Sequence, residues 1–254
     1  MRKIEVWAHR GASGYAPENT LEAFSLAIAQ GADGIELDVH LSADGQVVVA
    51  HDETVNRVSD GSGRIADLTL AALKALNFHK PKPRYAPVCR IPTLEEALAL
   101  LAPAGLALNI ELKNDAEPYP GLEERCVELV DRAGMWERVW FSSFNHQSLA
   151  RIKAIDPSLR CGALYGQAPP DPFAHARQLG IEALHPHHGT LRGGASLLAA
   201  CHAGGLRVHA WTINDAQTVR AMARVGVDAV ITNYPDRAIR ALGGYMFQEK
   251  KKEL

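Results

Sequence analysis

GIELDVHLSADGQVVVAH, residues 34–51, holds two strand-like runs, Gly34 to His40 and Gln46 to His51. Only Leu41 to Gly45 separates them, and Ala43-Asp44-Gly45 within it is a turn signature. Parallel neighbours need a crossover of a dozen or more residues, so these two runs form an antiparallel hairpin. Seven further runs have the same apolar character: Ile4 to His9, Ala107 to Lys113, Val139 to Ser143, Cys161 to Tyr165, Glu182 to His185, Leu206 to Trp211 and Asp228 to Thr232. With the returning arm of the hairpin set aside, eight parallel candidates remain, each followed by a helical pattern. Eight βα units in 254 residues predict an α/β fold, a TIM-type (β/α)8 barrel. A doubly wound open sheet is the alternative. The barrel is preferred because no G-x-G-x-x-G turn opens a helix and because charged residues end many strands instead of gathering at one switch point.

Asn19-Thr20-Leu21-Glu22 and Thr93-Leu94-Glu95-Glu96 both have capping-box spacing, and Gly31 and Gly226 stand where helices end. Residues 52–90 fit neither a strand nor one barrel helix. They hold Asp60-Gly61-Ser62-Gly63, a short helical stretch near Leu70 to Leu76 and the loop Pro81-Lys82-Pro83. The reading is a single barrel domain over 1–245, a small subdomain inserted after the second barrel strand over 52–90, and a charged tail over 246–254. The insertion emerges at the active-site rim, where it serves as a cover or specificity element.

The chain is 47% hydrophobic, 22% charged and formally −2, an ordinary globular composition. It carries no nucleic-acid signature, since the only basic run, Lys250-Lys251-Lys252, sits among Glu249 and Glu253 at the end of the chain. Lys251-Lys252-Glu253-Leu254 faintly resembles a retrieval signal, but the apolar stretch after Met1-Arg2-Lys3 ends at His9-Arg10, too soon for a signal peptide. The longest uncharged run, Ala97 to Ile110, is broken by Pro103 and Gly105 and gives no stable membrane anchor. Cys89, Cys126, Cys161 and Cys201 lack metal-binding spacing and read as reduced core thiols in a cytoplasmic protein. Oligomeric state is not legible at this level.

Charged residues end apolar strands, which is costly anywhere except at a functional rim. Glu36 and Asp38 lie two apart, so both point to one face, ~6.6 Å apart along the strand. Ile35, Leu37 and Val39 take the other face and pack on helices, which aims both carboxylates into the barrel. Glu111 and Lys113 repeat the arrangement on the next barrel strand. The hairpin then returns His51 to the level of Leu37 and Asp38. Three carboxylates on one rim repel by several kcal/mol at an effective dielectric of about 20, and one divalent cation relieves that conflict. All-oxygen ligation by Glu36, Asp38 and Glu111 favours Mg²⁺ or Ca²⁺. With His9 and His51 to move protons and Arg10 and Lys113 to hold phosphoryl oxygens, the set suits reaction at a phosphodiester. No G-x-S-x-G elbow accompanies Ser142-Ser143, so the attacking oxygen comes from water or from the substrate.

His9-Arg10-Gly11 with Pro17-Glu18-Asn19-Thr20, Glu36-Leu37-Asp38-Val39, Asp44-Gly45, His51-Asp52, Glu111-Leu112-Lys113, Ser142-Ser143-Phe144 and Trp211-Thr212-x-Asn214 together resemble the glycerophosphodiester phosphodiesterases. The match runs in order from His9 to about Pro235. It implies a TIM barrel with a small inserted subdomain, His9 and His51 as general acid and base, Glu36, Asp38 and Glu111 as metal ligands, and Arg10 and Lys113 on phosphate. The implied reaction releases sn-glycerol 3-phosphate and the head-group alcohol, and the implied branch is the cytoplasmic one. Trp211 and Phe144 end strands where they can line the substrate pocket, while His185-Pro186-His187-His188 reads as a polar rim loop. Two alternatives are a phospholipase D-like or lysophospholipid-cleaving enzyme, which needs an apolar mouth or anchor, and a non-catalytic phosphate-binding barrel, which would lack a histidine or a metal ligand.

Overall fold

The computed structural model describes residues 4–85, 87–167, 171–191 and 194–252, with side chains described as far as 244. Met1-Arg2-Lys3 and Glu253-Leu254 lie outside the described residues. The strands are β1 (Glu5–His9), β2 (Gly34–Leu41), β3 (Val47–Val49), β4 (Ala107–Leu112), β5 (Val139–Ser143), β6 (Arg160–Tyr165), β7 (Ala183–Pro186), β8 (Arg207–Ala210) and β9 (Ala229–Thr232). Between and after them lie α1 (Leu21–Ala29), α2 (Leu70–Ala75), α3 (Leu94–Leu101), α4 (Leu122–Arg132), α5 (His146–Ile155), α6 (Pro172–Leu179), α7 (Ala195–Ala203), α8 (Ala216–Val225) and α9 (Pro235–Lys252). The sheet order is β1-β9-β8-β7-β6-β5-β4-β2, and the β1–β2 pairing closes it into the expected barrel of eight parallel strands. β3 hangs antiparallel on β2, as the short turn demanded.

Side-chain alternation sorts the strands into two cores. Ile35, Leu37, Val39, Leu108 and Ile110 join Phe24, Leu94 and Leu98 in the layer between sheet and helices. The inward set at the closed end is Trp7, Trp140, Ala183, Ala229 and Ile231. Gly34 makes room for this plug, since a Cβ there would stand 2.7 Å from the Trp7 ring. The insertion packs separately: Val55, Val58, Ile65, Leu73 and Phe78 cluster on Val48, Ala50 and Ile91. It is tied to the barrel at the hairpin.

Two local expectations change. The Thr93 capping box forms, with Glu96 returning to the Thr93 backbone, and Gly226 ends α8 as read, while Asp215 caps its start. At α1, however, Thr20 is the N-cap, accepting from the Ala23 N–H, and Asn19 takes a left-handed backbone with φ 56°. Its side chain has a better use, donating to buried Asp38 at 2.8 Å. At the other end, α9 continues through the expected boundary at 245 to Lys252, so residues 246–252 extend a helix where a tail was expected.

Candidate active site

The site is assembled along one edge of β2. β1 pairs with that edge as far as His9 opposite Glu36, and there it stops. Farther along, β3 takes over the same edge, with Val49 opposite Val39 and the Ala50 N–H bonded to the Asp38 carbonyl. β1 and β3 run in opposite senses, so their ends meet and bring His9 and His51 to one pocket. The turn after His9 is made by Arg10 at φ 54° and Gly11 at φ 77°, where a Cβ would lie 2.7 Å from Ala23. His40, buried inside the hairpin, meets the His51 carbonyl through Nε2 at 3.1 Å and the Tyr119 hydroxyl through Nδ1 at 3.0 Å. Tyr119 thus fixes the ring that holds the His51 carbonyl.

Glu36, Asp38 and Glu111 are buried, and one oxygen of each lies within 4.8 Å of the others. Two such charges at that separation repel by about 3 kcal/mol at an effective dielectric of about 20. Each carboxylate commits one oxygen to the protein. Glu36 Oε2 accepts from the Arg10 backbone N–H at 2.9 Å, Asp38 Oδ2 from Asn19 Nδ2 at 2.8 Å, and Glu111 Oε1 from Lys113 Nζ at 2.9 Å. Glu36 Oε1 and Asp38 Oδ1 are buried with no hydrogen-bond partner among the described residues. Buried oxygens without donors are costly, and a hard cation is the partner that an all-oxygen set fits. Burial, with Asp38 and Glu111 beside it, pushes the Glu36 carboxyl well above the usual carboxylate range. Burial and Asp38 raise Glu111 to about 7. Asp38 goes the other way: burial opposes its ionisation, but Arg10, His51 and Lys113 outweigh it.

The two histidines differ in their partners. His9 Nδ1 meets Asn233 Oδ1 at 2.6 Å, and burial together with the Arg10 charge lowers its pKa to about 4. Since Asn233 presents an oxygen, Nδ1 carries the proton and Nε2 is left as the acceptor. His51 Nδ1 meets Asp52 Oδ1 at 2.7 Å, and its Nε2 faces Lys113 Nζ at 3.4 Å. Both line one pocket, roughly 430 Å³ including its open mouth, with Arg10, Glu36, Glu111, Asn109, Leu164, Phe144 and Trp211. Phe144 and Trp211 meet edge to face at 5.8 Å and form its apolar wall. Ser142 Oγ accepts from Asn109 and Ser143 Oγ donates to the Leu112 carbonyl, so both serines have structural partners.

Comparison with known proteins bears on this constellation. The sequence model of the Glycerophosphoryl diester phosphodiesterase family matches residues 9–237. A glycerophosphodiester phosphodiesterase of Caldanaerobacter subterraneus subsp. tengcongensis is 39% identical, over 93% of this chain and 97% of its own. One from Bacillus altitudinis is 35% identical over 93% of this chain and 97% of its own. The chain belongs to the glycerophosphoryl diester phosphodiesterase family. Among solved members of similar structure is an Oleispira antarctica phosphodiesterase in complex with the product sn-glycerol-3-phosphate, 36% identical with a TM-score of 0.85, covering 94% of this chain and 96% of that one. The family expected from the sequence, its enzymatic class and its barrel are therefore met.

Within this phosphodiesterase family framework, all eight residues singled out by sequence, His9, Arg10, Glu36, Asp38, His51, Glu111, Lys113 and Trp211, gather at one end of the barrel. Arg10 reaches Glu18 at 2.8 Å and lies 3.5 Å from Asp38, while Lys113 joins Glu111. Asn233, His40, Asn109 and Arg57 escaped the sequence reading, since an isolated Asn, His or Arg carries no periodic or charge-cluster signal. The polar-rim reading of His185 is corrected. His185 is fully buried inside the barrel, 2.8 Å from His209, because β7 runs on to Pro186 and carries the ring inward. His187 and His188 follow the strand, His187 bridged to Trp211 and set edge-on to its ring, and His188 opening a short 3-10 helix.

Proposed function

We propose that this phosphodiesterase hydrolyses glycerophosphodiesters to sn-glycerol 3-phosphate and an alcohol in two steps, with His9 as first base and His51 as first acid. The carrying observation is the unequal pairing of the two imidazoles that share the pocket. His9, partnered by a neutral amide and held unprotonated by burial, accepts the proton of the substrate's 2-hydroxyl. That oxygen attacks phosphorus with the advantage of an intramolecular reaction. His51, with the Asp52 carboxylate behind it to balance the charge of a protonated ring, gives its proton to the departing head-group oxygen. The resulting cyclic 1,2-phosphate is opened by water with the roles exchanged, and both histidines return to their starting states. Arg10 and Lys113 hold the phosphoryl oxygens, and Trp211 covers the glycerol.

Glu36, Asp38 and Glu111 are assigned to one divalent cation, Mg²⁺ or Ca²⁺, on the strength of their all-oxygen set and the two unpartnered buried oxygens. When bound it supplies Lewis-acid stabilisation of phosphoryl charge. We assign one barrel domain that runs to the end of α9 and carries 52–90 as its insertion, and a cytoplasmic location, supported by four buried free thiols. Among the described residues no helix is long and apolar enough to cross a membrane.

A coupled assay of glycerol 3-phosphate release tests the reading, run on glycerophosphocholine, -ethanolamine, -glycerol and -inositol with Mg²⁺, Mn²⁺ or Ca²⁺. Release from at least one of them is expected. Turnover of lysophosphatidylcholine alone would favour the lysophospholipid alternative, which the Phe144 and Trp211 wall keeps in play, and no turnover of any diester would favour the binding barrel. An analogue lacking the 2-hydroxyl should not react, and comparable turnover would exclude the cyclic route.

A further inference from the structure

We propose that Arg57, supplied by the insertion, is a positioning residue that aligns His51 and Arg10 through one continuous ion-pair relay. The inference rests on the reaction proposed above. Arg57 uses every nitrogen of its guanidinium. Nε donates to Asp52 Oδ2 at 2.6 Å and Nη2 to Asp52 Oδ1 at 3.1 Å, while Nη1 and Nη2 grip Glu18 Oε2 and Oε1 at 2.9 and 2.7 Å. Asp52 Oδ1 meets His51 Nδ1, and Glu18 Oε1 also accepts from Arg10 Nη1 at 2.8 Å. One side chain thus stands directly behind the partners of both the proton carrier and the phosphate-binding cation.

Stability does not account for this arrangement. The Arg57 side chain is 46% exposed, and exposed ion pairs contribute little once the ordering of a long side chain is counted. Its effect is geometric. A carboxylate held by one imidazole can rotate about its own bond, whereas one clamped by a planar fork cannot. Fixing Asp52 fixes the ring plane and the Nδ1–H tautomer of His51, which aims Nε2 at the substrate. The Glu18 arm does the same for Arg10. Without Arg57, Glu18 would be left with Arg10 as its sole cationic partner and would draw that charge from the phosphate. Burial opposes ionisation of Asp52 and Glu18, yet their hydrogen bonds to Arg57 help to hold both below the usual carboxylate range. The insertion grips the same barrel loop a second time, where Lys82 Nζ donates to the Gly14 carbonyl at 2.8 Å.

The test compares wild type with Arg57→Ala and Arg57→Lys on glycerophosphocholine and on a glycerophosphodiester whose leaving group is p-nitrophenol, which departs without a proton. Arg57→Ala should lower kcat on the choline diester about 10- to 100-fold, the scale of a small misplacement of a catalytic group. On the nitrophenyl diester the loss in the first step, read as the single-turnover rate of nitrophenol release, should shrink below about threefold, while KM rises on both substrates through Arg10. Arg57→Lys, which cannot span both carboxylates, should recover only part. Equal single-turnover losses on the two substrates, or a fall in thermal stability with kcat unchanged, would overturn the relay. Wild-type turnover in the same series reports on the proposed reaction separately. Imidazole nitrogen NMR needs no turnover: at a pH where the ring is neutral, His51 should hold the Nδ1–H tautomer in wild type and become a tautomer mixture in Arg57→Ala, and an unchanged spectrum would also overturn the proposal.

Discussion

The two ends of the barrel interior are built from the same inward-facing strand positions and hold the same residue type, paired histidines, to opposite effect. At the closed end His185 and His209 bond each other at 2.8 Å, stack near Trp7 and Trp140, and lie outside the pocket. Burial and the Arg207 charge lower His185 to about 3, which keeps it a neutral packing element. At the open end His9 and His51 take separate partners, Asn233 and Asp52, and share a pocket with buried oxygens that lack donors. Burial alone does not separate a structural histidine from a reactive one. What separates them is that the closed-end rings bond each other away from the pocket, whereas each open-end ring is held by a third group and faces an open space.

The comparison breaks most visibly at the carboxylates. Chelation should bring turnover to the level of an enzyme-free blank, and Glu36→Gln or Glu111→Gln should weaken metal binding beyond the roughly 10- to 100-fold that follows loss of an outer-shell partner. Isothermal titration with Mg²⁺ or Ca²⁺ beside the release assay measures both. Full activity after chelation would remove the cation from the reaction. The open-end histidines come next: His9→Ala and His51→Ala should each stay folded and bind metal, yet lose about 10²-fold or more in kcat. Near wild-type turnover in either variant would take that ring out of the mechanism.

At the closed end the response should move from rate to stability. Trp7→Ala opens the plug and should cost about 3–5 kcal/mol in a denaturant titration, the range for deleting a buried aromatic. Activity per folded molecule should persist. A smaller effect follows from the depressed pKa of His185. Below its ordinary value of 6.5 the unfolded chain takes a proton that the folded chain refuses until about pH 3. Stability therefore falls as pH drops through that window, at most about 1.4 kcal/mol per pH unit for one proton. His185→Asn should flatten the pH profile of the unfolding midpoint between pH 6 and about 4, whereas an unchanged slope would show that other groups govern it.

The barrel was legible because alternation and spacing are local properties. Glu36 and Asp38 share a face whatever surrounds them, and five residues between two strands leave only a hairpin. From that hairpin the convergence of His51 on the carboxylates follows. The insertion was legible as an interruption of the βα rhythm, though not as a cluster with its own apolar centre. Asn19 was misassigned because two uses competed for one side chain, a cap on α1 and a donor to Asp38, and only burial of Asp38 decides between them.

By itself the sequence determined the strands, their inward carboxylates, the strand count and hence the closed parallel barrel, because each depends on neighbours a few residues apart along the chain. Tertiary structure alone decided which group holds His9 and which side chain ties the Asp52 and Glu18 carboxylates together. Asn233 reaches His9 across 224 positions, and Glu18 meets Arg57 across 39. Such partnerships leave no period in the sequence, since hydrogen bonds between side chains depend on where closure of the barrel brings them. The same closure sent His185 inward and His51 to the mouth, and so gave one histidine to packing and the other to the pocket.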